Sequence, residues 1–115
     1  MRKITQQAVA AFMKGQPFSK ANTEVYTVAG VRKTVFANLE TLSVTVTVLR
    51  LHGNDIARRW TQGHTLIEVT TAGWNTVTTR ERLNGIPGVS VHQSKHVLHL
   101  NDEPWDGEWM TVHDV

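Results

Sequence analysis

No cysteine occurs anywhere in the 115 residues. Disulfides, thiolate nucleophiles and cysteine-ligated zinc or iron–sulfur centres are therefore excluded, and a reducing compartment is compatible with the chain. Long apolar runs are missing as well. AVAAFM, residues 8–13, is flanked by glutamines and Lys14 and is too short for a membrane span or a secretory leader. The expectation is a soluble cytoplasmic protein without membrane contact. Two catalytic signatures are also absent. No glycine-rich loop carries a lysine for a nucleotide, and none of Ser19, Ser43, Ser90 and Ser94 sits in a Gly-x-Ser-x-Gly elbow. Repeats, low-complexity tracts and linkers are not found.

What is present is a globular composition, 40% hydrophobic and 19% charged. The length suits one domain spanning 1–115, with an acidic, tryptophan-bearing tail at about 101–115. The net charge of +2 is unevenly spread. Residues 1–100 hold all 12 Lys and Arg against five acids (Glu24, Glu40, Asp55, Glu68, Glu81), a charge of +7. The tail NDEPWDGEWMTVHDV holds five acids and no Lys or Arg, a charge of −5. A basic body suits a polyanionic or acidic partner, and an acidic tail can shield that body or compete for it.

The pattern predicts a helix over Thr5–Lys14, with Thr5 as N-cap, Gly15 as left-handed stop and an apolar stripe of Ala8, Val9, Phe12 and Met13. From Asn22 the period changes to two. TEVYTV and VRKTVF read as two strands around a turn at Ala29-Gly30, and TLSVTVTVLRL as the strongest strand. Its alternation slips at Val48-Leu49, which marks a bulge. HGND and QG close hairpins into IARRW and HTLIEV. VSVHQSKHVLHL reads as a hairpin turning at Ser94-Lys95, pairing Val91 with Leu98 and Val89 with Leu100. Beyond Leu100 the chain is expected to be irregular. The fold class is α+β: an antiparallel meander with an N-terminal helix and one short helix before the C-terminal hairpin.

That short helix lies in TVTTRERLNGIPG, residues 76–88. Thr78 and Glu81 fit a capping box, Asn84-Gly85 a stop, and Leu83 with Val77 and Ile86 the core contact. A helix start can also hold an anion, but a glutamate at that end repels one. Arg80 and Arg82 are left as an exposed basic pair.

LRLHGNDIA (49–57), TTAGWNTVTTRERLNGIPGVSVHQ (70–93), LHLNDEPW (98–105) and AFMKGQPFSKANTEV (11–25) together resemble a group of short bacteriophage accessory proteins of unknown function. Residues 26–48 depart from that pattern. The resemblance implies a small phage accessory protein acting inside an infected bacterium, and it transfers no catalytic residues.

Three chemistries remain to be weighed. His92, His96 and His99 cluster in the last hairpin, with His92 diagonal to His99, but His96 falls on the other face and no carboxylate completes a set. No metal site, cofactor or catalytic residue is assigned, and an enzyme is not expected. Arg58-Arg59-Trp60 is the best polyanion feature, extended by Arg50, Arg80, Arg82 and Lys95 into a candidate nucleic-acid surface. The bland alternative is a buried Trp60 and two arginines that protect an edge strand. The tail offers a partner-binding strip of Trp105, Asp106, Glu108 and Trp109, with Trp105 packed on the domain and Trp109 more exposed. Deleting residues 107–115 is then expected to preserve folding. The leading expectation is a non-catalytic factor that binds and modulates a host or phage protein in the bacterial cytoplasm, of inhibitor or anti-defence type. The second is a small basic nucleic-acid-binding module. The oligomeric state stays open, with a homodimer among the arrangements allowed.

Overall fold

The computed structural model describes residues 2–35, 40–62 and 64–114, without the side chains of residues 30–43, 62–64 and 114. The first helix, α1 (Lys3–Lys14), starts earlier than the sequence suggests: Arg2 is the N-cap and gives no side-chain cap. Thr5 is therefore a helix-interior residue. It is fully buried, and its hydroxyl is turned toward the second helix instead of its own backbone. Gly15 ends the helix in the left-handed region at φ 69°, and the N–H of Gln16 returns to the carbonyl of Ala11. Ala8, Val9, Ala11 and Phe12 form the buried face.

The main sheet has six antiparallel strands in the order β1-β2-β3-β4-β5-β9. They are β1 (Phe18–Lys20), β2 (Thr23–Val35), β3 (Glu40–Leu51), β4 (Asn54–Gln62), β5 (His64–Val69) and β9 (Met110–Asp114). Ala29-Gly30 is not a turn. The β2 ladder with β3 runs from Thr23↔Leu51 to Val35↔Glu40 with one register shift between Val28 and Val31. The long β3 offers a partner on both sides of Ala29-Gly30, so the chain keeps its direction and absorbs the irregularity as a local bulge. The bulge read from Val48-Leu49 is present one step on, between Leu49 and Arg50 in the ladder with β4. At the tip, His52 and Gly53 have φ 50° and 79°, both left-handed, as the tight two-residue hairpin turn requires. Gln62 pairs with His64, and the turn residue Gly63 lies outside the described residues.

One face of this sheet packs on α1. Val25, Leu49, Leu51, Ala57, Ile67 and Val69 join Ala8, Val9 and Phe12 in a single core cluster. Alternate positions, including Tyr26, Val48, Arg58 and Glu68, lie in register on the opposite face.

The second helix, α2 (Val77–Asn84), is capped by Thr76, whose hydroxyl accepts from the Thr79 N–H at 3.1 Å. Thr78 is not the cap, and Glu81 does not reach back to the helix start. Its carboxylate meets Thr5 and Arg82. Leu83 and Ile86 are buried as expected, but Val77 is 73% exposed and ties nothing down. Gly85 is right-handed at φ −71°, so it is not a left-handed stop. Its value is its missing side chain, because a Cβ there would lie 2.7 Å from Thr5 Cγ2 and 2.8 Å from Val9 Cγ2. That gap is where α2 crosses α1. Asn84 clasps the next strand, giving Nδ2 to the Val91 carbonyl at 2.8 Å and taking the Val91 N–H at 2.6 Å.

A smaller sheet follows, β6 (Val91–Ser94), β7 (Val97–Leu100) and β8 (Glu103–Pro104). Its turn is Lys95-His96, with φ 51° and 67°, in place of Ser94-Lys95. Val91 thus pairs with Leu100 and Gln93 with Leu98. The shift is by two positions, which preserves the side-chain parity, so Val91 and Leu100 still face the core.

The tail is not irregular. β9 pairs with β5, Val69↔Met110 to Leu66↔Asp114, and closes the sheet at that edge. Leading into it, the Gly107 carbonyl accepts from Thr70 Oγ1 at 2.6 Å and from the Thr71 N–H at 2.9 Å. The edge of β5 supplies the ladder that five residues of mixed composition do not announce.

Candidate functional site

The ladder that places β9 beside β5 brings the start of the tail over β4. Trp109 directly precedes Met110, which pairs with Val69, and Val69 in turn pairs with Ala57. The indole of Trp109 lies under the guanidinium of Arg58, with 4.1 Å from Cζ to the ring centroid. Asp55 stands between two arginines. Its Oδ1 accepts from Arg50 Nε at 2.9 Å, and its Oδ2 lies 3.7 Å from Arg58 Nη2. Arg50 also donates Nη2 to the Tyr26 hydroxyl at 2.8 Å and stacks on that ring at 4.8 Å. The hydrogen bond to Asp55 raises the Arg50 pKa above the ordinary arginine value, against the opposing effect of burial. Arg50 is charged at every accessible pH. Arg50, Asp55, Arg58 and Trp109, with Glu108, line an open hollow of about 560 Å³, and Tyr26 supports Arg50 from outside it.

The hollow joins residues that sequence reasoning assigned to rival sites. Arg50 and Arg58 came from the polyanion set; Glu108 and Trp109 came from the tail strip. The rest of each set lies elsewhere. Trp105 is 7% exposed and donates its indole N–H to the Glu108 carbonyl, so it anchors the tail. Asp106 is exposed and accepts the Glu108 N–H at 3.0 Å, which shapes the turn before Trp109. Trp60 donates to Glu68 at 2.6 Å across the β4–β5 pair. β4 is an interior strand between β3 and β5, so its arginines do not guard an edge. Arg59 points to the other face, where its Nε is buried without a hydrogen-bond partner among the described residues.

Arg80 binds Asn75 Oδ1 at 2.7 Å and Gln93 Oε1 at 3.2 Å, and Lys95 sits in the β6–β7 turn. Arg82 is no exposed partner of Arg80. It is 2% exposed, held by the hydroxyls of Thr5 and Thr23 and by Glu81. The seven polyanion candidates therefore do not form one patch. The histidines also differ from expectation: His92 and His99 are directly opposite, their rings stacked at 4.9 Å and 3°. His96 lies in the turn. Among the described residues no three His, Asp or Glu side chains gather as a metal set.

Asp55 and Tyr26 were missed by sequence reasoning. The signal for Asp55 was its place just after the hairpin turn, opposite Arg50.

A family comparison bears on this arrangement. The family model described as Kyanoviridae Gp96 protein matches residues 1–113. The chain belongs to that bacteriophage family. The match covers the whole hollow, from Arg50 to Trp109, and Tyr26 behind it, so the site lies within the family's shared length. No curated protein and no solved structure matches the chain. No helix among the described residues is long and apolar enough to cross a membrane.

Proposed function

We propose that this phage protein is a non-catalytic accessory factor that binds a host or phage protein in the infected cell's cytoplasm and modulates it, in the manner of an inhibitor or anti-defence factor. The observation that supports the reading most is the Arg58–Trp109 stack beside the Arg50–Asp55 pair. Tryptophan and arginine are the residue types that most often anchor protein interfaces, and here each holds the other in a fixed pose. Preorganised side chains lose little freedom on binding.

Charge favours a protein over a polyanion at this hollow. Arg50 and Arg58 are matched by Asp55 and Glu108, which leaves no local excess of positive charge for phosphates. The nucleic-acid reading retains the +7 of residues 1–100 as its motive. Its dispersed arginines would give nonspecific, strongly salt-dependent binding.

The test is affinity capture from host lysate with the wild type, Arg58→Ala and Trp109→Ala. Capture of a discrete protein that both variants lose, at unchanged melting temperature, supports the proposal. Retention by both variants rejects this site. Binding to DNA or RNA that collapses between low and moderate salt would favour the second reading.

A further inference from the structure

A second cavity, of about 410 Å³, opens on the other side of the β3–β4 hairpin tip. Its floor is apolar: Leu51 is 4% exposed and Ile56 1%. One wall is Trp74, which is 62% exposed, an unusual setting for so large a ring in a folded chain. His52, Asn54 and Thr78 belong to the polar rim. The cavity shares only Asn54 with the arginine hollow.

The backbone holds Trp74 in this place. Ala72 and Gly73 are both left-handed, at φ 55° and 81°, and Ala72 adopts that region against its steric preference. The N–H of Trp74 closes the turn on the Thr71 carbonyl, and its own carbonyl takes the Thr76 N–H, each at 2.9 Å. The main chain is thus fixed on both sides of a side chain directed to water.

The lining defines what would fit. No Lys, Arg, Asp or Glu is among the lining residues, so nothing there would neutralise a phosphate or a carboxylate. The hydroxyls of Thr71, Thr76 and Thr79 are engaged within the protein. The Thr78 hydroxyl, the His52 imidazole and the Trp74 indole N–H have no hydrogen-bond partner among the described residues. A sugar would press hydroxyls against Leu51 and Ile56, where they find no partner. A flat ring would stack on Trp74, cover Leu51 and Ile56, and present its polar edge to Thr78 and His52. The volume falls within the range of about 300–1,000 Å³ usual for small-molecule sites.

We propose that this cavity binds a small, uncharged aromatic molecule of one or two rings, through stacking on Trp74. The inference is independent of the arginine hollow and its partner.

Titration of the full-length, ¹⁵N-labelled protein with indole and with adenine tests it, with AMP and glucose as the charged and the non-aromatic comparison. The expected result is saturable binding of one or both rings with Kd below about 1 mM. It should shift the Trp74 indole cross-peak, assigned by its loss in Trp74→Phe, and the amides of residues 51–56 and 76–79. The Trp105 indole signal should stay in place. Trp74→Ala should weaken binding about five- to hundred-fold, as truncation of a stacking ring does. Trp74→Phe should keep most of the affinity, and an exposed position makes unfolding by either change unexpected. The proposal is overturned if neither ring saturates, if Trp74→Ala binds as well as wild type, or if AMP or glucose binds more tightly than the rings. It is equally overturned if a tryptophan-bearing peptide binds there and neither free ring does, because the cavity would then belong to a protein interface.

Discussion

Replacing Arg82 should cost the fold heavily, because its buried guanidinium joins three elements. Its guanidinium donates Nε to Thr23 Oγ1 at 3.2 Å and Nη1 to Thr5 Oγ1 at 2.7 Å, and it pairs with Glu81. One side chain thus ties α2 to α1 and to the start of β2. Arg82→Ala removes all three bonds and leaves a carboxylate whose Oε2 already lacks a partner. Breaking a buried pair from one side costs about 3–5 kcal/mol, and the Glu81 side chain, 23% exposed, recovers part of that through water. The lower end, about 3 kcal/mol, is therefore expected. For a chain of this length an unfolding entropy of roughly 0.24 kcal/mol/K converts this to a fall in Tm of about 12 °C. Arg82→Met restores the apolar stem and should cost less, and Arg82→Met with Glu81→Gln less again, because no buried charge is then stranded. Calorimetry or a thermal melt by circular dichroism reads all three. A surface arginine would cost no more than about 0.5 kcal/mol. If Arg82→Ala lowers Tm by less than about 3 °C, the buried network is not present in solution.

Thr76→Ala should cost about 1 kcal/mol through loss of the α2 cap, while Thr78→Ala, which caps nothing, should stay within about 0.5 kcal/mol; equal effects in paired melts would restore the capping-box reading. Gly85→Ala should destabilise by about 1–3 kcal/mol, because its Cβ meets Thr5 and Val9 where the helices cross; a neutral or stabilising result in chemical denaturation would refute that close approach. Deleting residues 107–115 removes β9 and the Gly107 carbonyl that Thr70 and Thr71 use, so a loss of about 3–5 kcal/mol is expected, and an unchanged melt would show that the tail is dispensable to the fold.

The last of these reverses an expectation, and the reversal shows which information a sequence carries. β3 was legible because Val44, Val46 and Val48 alternate with hydroxyls over a long run, and even its bulge left a mark in the pattern. The α1 stripe and the Gly15 stop were legible for the same reason: each is a local regularity. β9 has no such regularity. Met110–Asp114 becomes a strand because β5 has an open edge, a fact about the sheet and not about those five residues. The α2 cap failed differently. Thr76, Thr78 and Thr79 all offer hydroxyls, and Glu81 fits the box with Thr78 only while its tertiary partner Thr5, 76 residues away, is out of view and its neighbour Arg82 is taken as exposed. Burial of Arg82 was hidden by the same distance along the chain.

The candidate site repeats this division at a finer scale. Arg50 and Asp55 flank a tight hairpin turn, so their pairing follows from the local register of β3 and β4. The contact of Arg58 with Trp109 follows only from strand order: β5 must pair with β4 on one side and with β9 on the other before the indole can lie under the guanidinium. Two residue sets that looked like alternatives, one basic and one from the acidic tail, therefore each contribute two members to one hollow: Arg50 and Arg58, and Glu108 and Trp109. Within it Arg50 and Arg58 are paired with Asp55, and Glu108 adds a second negative charge to the lining, which is why the basic surplus of residues 1–100 does not become a phosphate-binding surface at this place. A partner of the hollow would meet a fixed aromatic–guanidinium pair flanked by balanced charge, so shape and stacking, more than net charge, would decide what binds.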